Sequence, residues 1–187
     1  MRIVSGEKRG LKLNDVPPTV TCRPTIDRIK EAIFDIIRFE LDGKVLDLFS
    51  GTGQLGLEAI SNGCEEAVFC DNNEYSIDLI KRNVKKAGYE NRSKVLNCDY
   101  KHFLKHVAKP KEFKIILLDP PFGSILADKS LNYISQQDCL ADNGIIVLEC
   151  DKTEKHDERI GNLKLRKKYT YGKVAVLIYI KEETNNE

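Results

Sequence analysis

The sequence predicts an α/β fold, a doubly wound and mainly parallel sheet that carries an antiparallel hairpin at its C-terminal edge. Three observations lead there. From Lys44 onward, short apolar runs alternate with stretches of helical period, the pattern of strands that cross over through helices. A glycine-rich turn, Gly51-Thr52-Gly53-Gln54-Leu55-Gly56, follows the first run and opens the next helical stretch, as in open sheets that bind ligands at their strand ends. The last two apolar runs, residues 164–171 and 174–180, meet around Gly172, which leaves room for a turn and none for a helix.

Taken in order, Arg2-Ile3-Val4, the Ser5-Gly6 turn and the alternating Leu11-Lys12-Leu13 predict a small N-terminal β-hairpin. Residues 15–24 form a proline-rich connector. Thr25 is placed to cap a helix in which Ile26, Ile29, Ile33, Ile36 and Ile37 recur at helical spacing, up to about residue 41. Asp42-Gly43 ends it. Strands follow at 44–49, 67–71, 94–98, 113–119 and 144–150, with helices at 55–62, 75–87, 101–107 and 126–139 between them. In the 75–87 helix, Ile77, Ile80, Val84 and Ala87 face inward, and Lys81, Arg82, Lys85 and Lys86 face solvent.

The 187 residues suffice for one packed domain, burying about 70% of the surface exposed by the unfolded chain. The expected division is 1–24 as hairpin and connector, 25–181 as the α/β domain and 182–187 as a frayed tail. With 32% charged and 41% hydrophobic residues and no apolar run long enough for a bilayer, membrane and disordered classes are excluded and a cytoplasmic address is expected. The six cysteines contain no CxxC pair; several sit in apolar runs and are read as small buried hydrophobes. His102 and His106 lie four apart with no third ligand in register, so no metal is expected. The net charge of +1 conceals basic stretches at 1–30, 81–114 and 159–173. If they converge, they make a phosphate-binding surface.

The glycine turn satisfies G-x-G-x-x-G through Gly51, Gly53 and Gly56, and Asp71 ends the next strand twenty residues after Gly51. That arrangement sets a carboxylate against a ribose. The glycines alone suit a nicotinamide dinucleotide and a methyl donor equally. Asp47, just upstream, favours the second: a carboxylate there repels a pyrophosphate but attracts the ammonium of an amino acid joined to adenosine. In that reading the loop residues Ser50, Gly51, Thr52 and Gly53 approach S-adenosylmethionine closely. Asp71 with its neighbour Asn72 takes the ribose hydroxyls, and Asp99 with its neighbour Tyr100 takes the adenine.

The most informative stretch is Asp119-Pro120-Pro121-Phe122, at the end of a strongly apolar strand. Two prolines fix the backbone and remove two N–H donors, leaving a loop that offers acceptors. An exocyclic base amine held by the Asp119 carboxylate and the Pro120 carbonyl has its lone pair aimed at a sulfonium methyl. The Phe122 ring gives the base a face to stack on, worth about 1–3 kcal/mol. Asp119 is then placed to receive the proton after transfer.

With these elements in place, the chain resembles the RsmD family of bacterial 16S rRNA guanine-N2 methyltransferases. The resemblance runs nearly end to end: Met1-Arg2-Ile3-Val4-Ser5-Gly6 with Arg9-Gly10, Arg23-Pro24-Thr25 with Asp27-Arg28, Glu31-Ala32-Ile33-Phe34, residues 46–53 with 55–59, the Asp119 to Phe122 segment, Glu149 and Tyr171-Gly172. It implies a seven-stranded, Rossmann-like methyltransferase sheet with a small N-terminal extension. The implied substrate is a guanine of 16S rRNA, guanine 966, on an assembled or assembling small ribosomal subunit. Arg2, Lys8, Arg9, Arg23 and Arg28 then acquire a reading as phosphate contacts that hold the target while its base is turned out of the stack. A monomer is expected. Thr52, Gln54 and Phe122 depart mildly from the family pattern, and Gln54 bears on the cofactor contacts.

Two other readings stand beside this one. The Asp119 segment also suits adenine-N6 methylation of DNA or RNA, or alkylation of a protein glutamine amide, since each presents a planar NH2. From another class, an RNA-binding assembly factor would retain the fold without turnover; the intact Asp119-Pro120-Pro121-Phe122 segment weighs against it.

Overall fold

The computed structural model describes residues 1–15 and 25–182. Cys22, Arg23 and the rest of the predicted connector beyond Asp15 lie outside them, as does the tail from residue 183. Along the chain run α1 (Asp27–Ile36), β1 (Lys44–Asp47), α2 (Gln54–Ser61), β2 (Glu66–Asp71), α3 (Glu74–Ala87) and β3 (Ser93–Asn97). There follow α4 (Tyr100–His102), β4 (Phe113–Leu118), α5 (Leu126–Gln137), β5 (Leu140–Asp151), β6 (Arg159–Ile160), β7 (Leu163–Tyr171) and β8 (Val174–Lys181). The strands make one sheet in the order β3-β2-β1-β4-β5-β8-β7-β6. From β3 to β5 every pairing is parallel, and β8, β7 and β6 are antiparallel.

Alternation along each strand divides the core between the two faces of this sheet. Val45, Ile115 and Leu117 pack on one face with Ile29 and Ile33 of α1, Leu57 of α2 and Ile80 of α3. Leu46, Ile116 and Leu118 pack on the other with Phe103, Leu104 and Leu131 of α5. Strands covered on both faces read as continuous apolar runs, which is why Ile115 to Leu118 carries no polar residue.

The structure departs from the sequence-based expectations in several places, each with a local cause. The sheet has eight strands, because a two-residue segment, β6, pairs with β7 around the Gly161 turn; two residues are too few to show a period. Strand β5 starts at Leu140, and its register against β4 slips between Phe113–Leu140 and Ile115–Ile145, letting Asp142 and Asn143 stay exposed. The predicted 101–107 helix is a short α4 followed by a π-helical turn over Phe103–Val107. Helix α1 stops at Ile36, and Ile26, expected on its inner face, is 59% exposed. Thr25 does not cap α1. The N-cap is Ile26, with no side-chain cap bond, and the Thr25 hydroxyl reaches Asp119 instead. The five described cysteines are free; four are buried and Cys98 is half-buried. Burial pushes the Cys64, Cys139 and Cys150 thiols up to about 12.

The N-terminal hairpin forms, with an Arg2–Lys12 bridge and an Ile3 N–H to Leu11 carbonyl bond of 3.0 Å. Its seat is polar. The fully buried Glu58 of α2 accepts from the Val4 amide at 2.6 Å and lies 3.6 Å from the ammonium of the equally buried Lys30 of α1. Burial raises the Glu58 carboxyl, and the Val4 amide and Lys30 act against that rise. Gly6 makes the close approach possible: with φ at +75°, an added Cβ would sit 1.9 Å from the Ser61 carbonyl oxygen. No helix among the described residues is long and apolar enough to cross a membrane.

Candidate active site

Open α/β sheets bind ligands where the strand order reverses, outside the carboxyl ends of the strands. Here that point lies between β1 and β4, whose crossovers run in opposite directions along the sheet. A cavity of about 640 Å³ occupies it. Its wall is built from the segments that leave β1, β2, β3 and β4, together with Thr25 and Ile26 ahead of α1, Glu149 of β5 and Val174 of β8.

The turn after β1 is held by hydrogen bonds that its sequence dictates. Ser50 donates its hydroxyl to the Asp47 carbonyl at 2.6 Å and accepts from the Cys70 amide at 2.9 Å, tying the tips of β1 and β2 together. Gly51 and Gly53 take φ of +52° and +77°, conformations costly for any residue with a Cβ. The Gly51 amide donates to Asp71 Oδ2 at 2.8 Å, while Asp71 Oδ1 accepts from the Asn73 amide at 2.9 Å. Asp71 therefore shapes the loop as well as facing the cavity, and each of its oxygens keeps a further lone pair. Gly56 serves packing: a Cβ there would lie 2.3 Å from the Phe69 ring.

The cavity is lined by Ser50, Gly51, Thr52, Asp71, Asn72, Asp99, Tyr100, Asp119, Pro120, Pro121 and Phe122. Asp47 and Gly53 are not in that lining. Asp47 is buried directly behind the glycine turn, where its Oδ2 accepts from the Gly56 amide at 3.0 Å. Burial pushes its carboxyl up to about 7; the Gly56 amide opposes the rise, and the charges of Asp119 and Asp71 add to it. Asp99 caps α4, accepting from the Lys101 amide at 2.9 Å. Beside it Tyr100 packs against Phe49, with ring centroids 5.5 Å apart.

The loop after β4 is fastened at both ends. Ser124 donates to the Pro121 carbonyl at 2.6 Å, and the Gly123 amide donates to Glu154 Oε1 at 2.9 Å. Phe122 is half-buried against the core, next to the cavity. Thr25 donates to Asp119 Oδ2 at 3.1 Å.

The charged side chains in the described lining, Asp71, Asp99, Asp119 and Glu149, are all acids. Such a wall repels the pyrophosphate of a dinucleotide and attracts a ligand carrying ammonium and sulfonium charges. Gln54 adds a second indication. It lines the cavity, is buried, and its Oε1 has no hydrogen-bond partner among the described residues. A buried acceptor left unsatisfied costs about 1–3 kcal/mol, which an ammonium donor would remove. The residues thus fit an amino-acid-bearing nucleoside.

The proposed RNA contacts are more scattered. Arg2 bonds Asp27 through Nε at 2.8 Å, the Lys8 ammonium stands 5.9 Å from the Tyr89 ring centre, and Arg9 and Arg28 are exposed. Most of the second basic stretch lies on α3 and on the segment 101–114 that leads into β4, and the third lies largely on β6 and β7.

Sequence reasoning missed three participants. Thr25 precedes a helix, where a threonine signals a cap; Gln54 stands in the glycine turn as a departure that bears on the cofactor contacts, with no signal that its Oε1 is buried; Glu154 lies in a loop with no local pattern.

An open sheet with its glycine turn after β1, an acidic ligand cavity at the reversal point and an Asp-Pro-Pro-Phe loop after β4 define an S-adenosylmethionine-dependent methyltransferase. Over residues 1–180 the chain matches the family described as conserved hypothetical protein 95. It belongs to that family, the RsmD family. It is 39% identical over 184 residues to YlbH of Bacillus subtilis, covering 97% of this chain and 99% of YlbH. It is 32% identical over 185 residues to ribosomal RNA small subunit methyltransferase D of Escherichia coli K12, covering 97% and 90%. The solved structure of yhhF from Escherichia coli superposes with a TM-score of 0.85 at 27% identity, covering 97% of this chain and 98% of that one.

Proposed function

We propose that this protein methylates the exocyclic N2 amine of a guanine in 16S rRNA, guanine 966, within an assembled or assembling small ribosomal subunit. The observation that carries the reading is the Asp119-Pro120-Pro121-Phe122 loop on the wall of a cavity whose charged lining is acidic. Membership of the RsmD family and the rRNA named for its Escherichia coli relative support the substrate class. The enzyme acts as a monomer in the cytoplasm, without a metal.

When bound, S-adenosylmethionine supplies a methyl group already activated by a cationic sulfur. The chain's own residues do the rest. Asp71 and Asn72 take the ribose hydroxyls, Asp99 and Tyr100 take the adenine, and Asp47 with Gln54 Oε1 balances the ammonium. Ser50, Gly51, Thr52 and Gly53 form the close wall of the turn. Asp119 and the Pro120 carbonyl accept the two hydrogens of the base amine, Pro121 stiffens the loop and Phe122 stacks the base. Asp119 takes the proton that the nitrogen loses on transfer. Residues 1–24 serve as an RNA-binding extension of the 25–181 domain, with Arg2, Lys8, Arg9, Arg23 and Arg28 on phosphates.

Mass-spectrometric nucleoside mapping of rRNA from a strain lacking this gene tests the reading, followed by re-methylation of that strain's small subunits with purified protein. Loss and restoration of a single N2-methylguanosine is the expected result. Loss of an N6-methyladenosine, or no change in small-subunit rRNA, would refute it.

A further inference from the structure

We infer that Thr25 is a positioning residue for Asp119, holding the carboxylate in the orientation that receives the substrate amine. The inference rests on the proposed role of Asp119 and adds a residue that acts through it.

The observation is a hydrogen bond across 94 residues of sequence: Thr25 Oγ1 donates to Asp119 Oδ2 at 3.1 Å, and both residues line the cavity. Thr25 is 6% exposed, so its hydroxyl has little access to water and its partner is set by the packing. The threonine immediately precedes the α1 N-cap, yet α1 has no side-chain cap. The hydrogen that the Thr25 hydroxyl donates goes to the carboxylate.

The chemistry favours this kind of donor. In the proposed role Asp119 accepts hydrogens. A neutral hydroxyl has one hydrogen to give. It engages Oδ2 alone, restrains rotation of the carboxylate plane, and leaves the group's charge in place. That restraint matters more here because Asp47 and Asp71 bring further negative charge to the same end of the sheet; the Asp119 charge is felt at Asp47. The Thr25 bond opposes the rotation by which like charges would turn the carboxylate away.

The seat of Thr25 is fixed independently of the cavity. Two residues on, Asp27 holds Arg2 of the hairpin at 2.8 Å and faces the Lys30 ammonium at 3.3 Å. Lys30 in turn donates to the Arg2 carbonyl and faces the buried Glu58 of α2. The first turn of α1 is thereby locked to the hairpin and to α2, and Thr25 extends that lock to the catalytic loop after β4.

Thr25→Val removes the hydroxyl at nearly constant shape, and Thr25→Ser keeps it while removing the methyl. The test is single-turnover methyl transfer to small subunits from the deletion strain, with each enzyme saturated in S-adenosylmethionine. S-adenosylhomocysteine affinity and the thermal midpoint are measured alongside. Thr25→Val is expected to slow transfer about 10- to 100-fold, the scale set by misplacing a reacting group. Its S-adenosylhomocysteine affinity and thermal midpoint should stay near wild type. Thr25→Ser should recover most of the rate, and Thr25→Val should add nothing once Asp119 is alanine. The inference is overturned if Thr25→Val transfers at the wild-type rate, if Thr25→Ser is as slow as Thr25→Val, or if the valine effect persists in full without the Asp119 carboxylate. Wild-type turnover by Asp119→Ala alone would instead bring down the underlying reading, and this inference with it.

Discussion

At the scale of single residues, two aspartates of the proposed site stand in different surroundings. Asp119 stands at the tip of β4 on the cavity wall, whereas Asp47 lies behind the glycine turn with a backbone amide on its Oδ2. Asp119→Ala is expected to lower turnover by a factor on the order of 10²–10⁴ with S-adenosylhomocysteine affinity nearly unchanged. Stopped-time methylation and calorimetry would measure the two. Asp47 is the residue for which pH matters. Its carboxyl is raised from 3.8 to about 7 in the fold, so between those values the folded protein keeps a proton that the unfolded chain has lost. The stability this contributes is fully present below about pH 4 and is lost as pH rises through about 7, a change of a few kcal/mol. Asp47→Asn retains an acceptor for the Gly56 amide and removes the titration. The cofactor-free variant should melt higher than wild type at about pH 8, and its thermal midpoint should vary less across that window. A wild-type pH profile in the variant would exclude Asp47 as the group responsible.

Among the elements, the contact between α2 and β2 sets the shape of the glycine turn. Gly56 sits against Phe69, which is fully buried, and a Cβ at 2.3 Å from that ring cannot be accommodated without moving helix or strand. Gly56→Ala is therefore expected to destabilise the protein by about 1–3 kcal/mol despite the better helix propensity of alanine. Urea denaturation would show it as a lower midpoint at unchanged slope. Cofactor affinity should fall as well, because Gly51 to Gly53 are carried by the same helix start. The glycine spacing is legible in the sequence as a ligand turn. That its third glycine is there for Phe69 follows only from the packed pair.

On the scale of the whole molecule, the basic segment 81–114 runs from α3 to the start of the central β4, and 159–173 lies largely on β6 and β7 at one end of the sheet; the proposed RNA contacts lie instead on the hairpin and the start of α1. Arg9→Glu and Arg28→Glu are each expected to weaken binding to small subunits and to lower the slope of log affinity against log salt by about 1 or more. Filter binding at several salt concentrations reads that slope. An unaltered slope in both variants would remove the hairpin and α1 from the RNA contact. The acidic cavity has a consequence at this scale too: phosphates of the substrate must stay outside it, and only an uncharged base can enter.

The sequence by itself determined the strand and helix alternation, the antiparallel end, the glycine turn and the Asp119 to Phe122 loop. Each is written in local physics: periods of two and 3.6 residues, backbone angles that only glycine adopts readily, prolines that remove donors. Tertiary structure alone decided that the Thr25 hydroxyl meets Asp119, that Lys30 is buried against Glu58, that Gln54 lines the cavity with its Oε1 unpartnered among the described residues, and that a two-residue β6 completes the sheet. In these cases a side chain or short segment has several partners compatible with its sequence neighbours. The choice is made by which element packing brings within hydrogen-bonding distance, and no spacing along the chain encodes that.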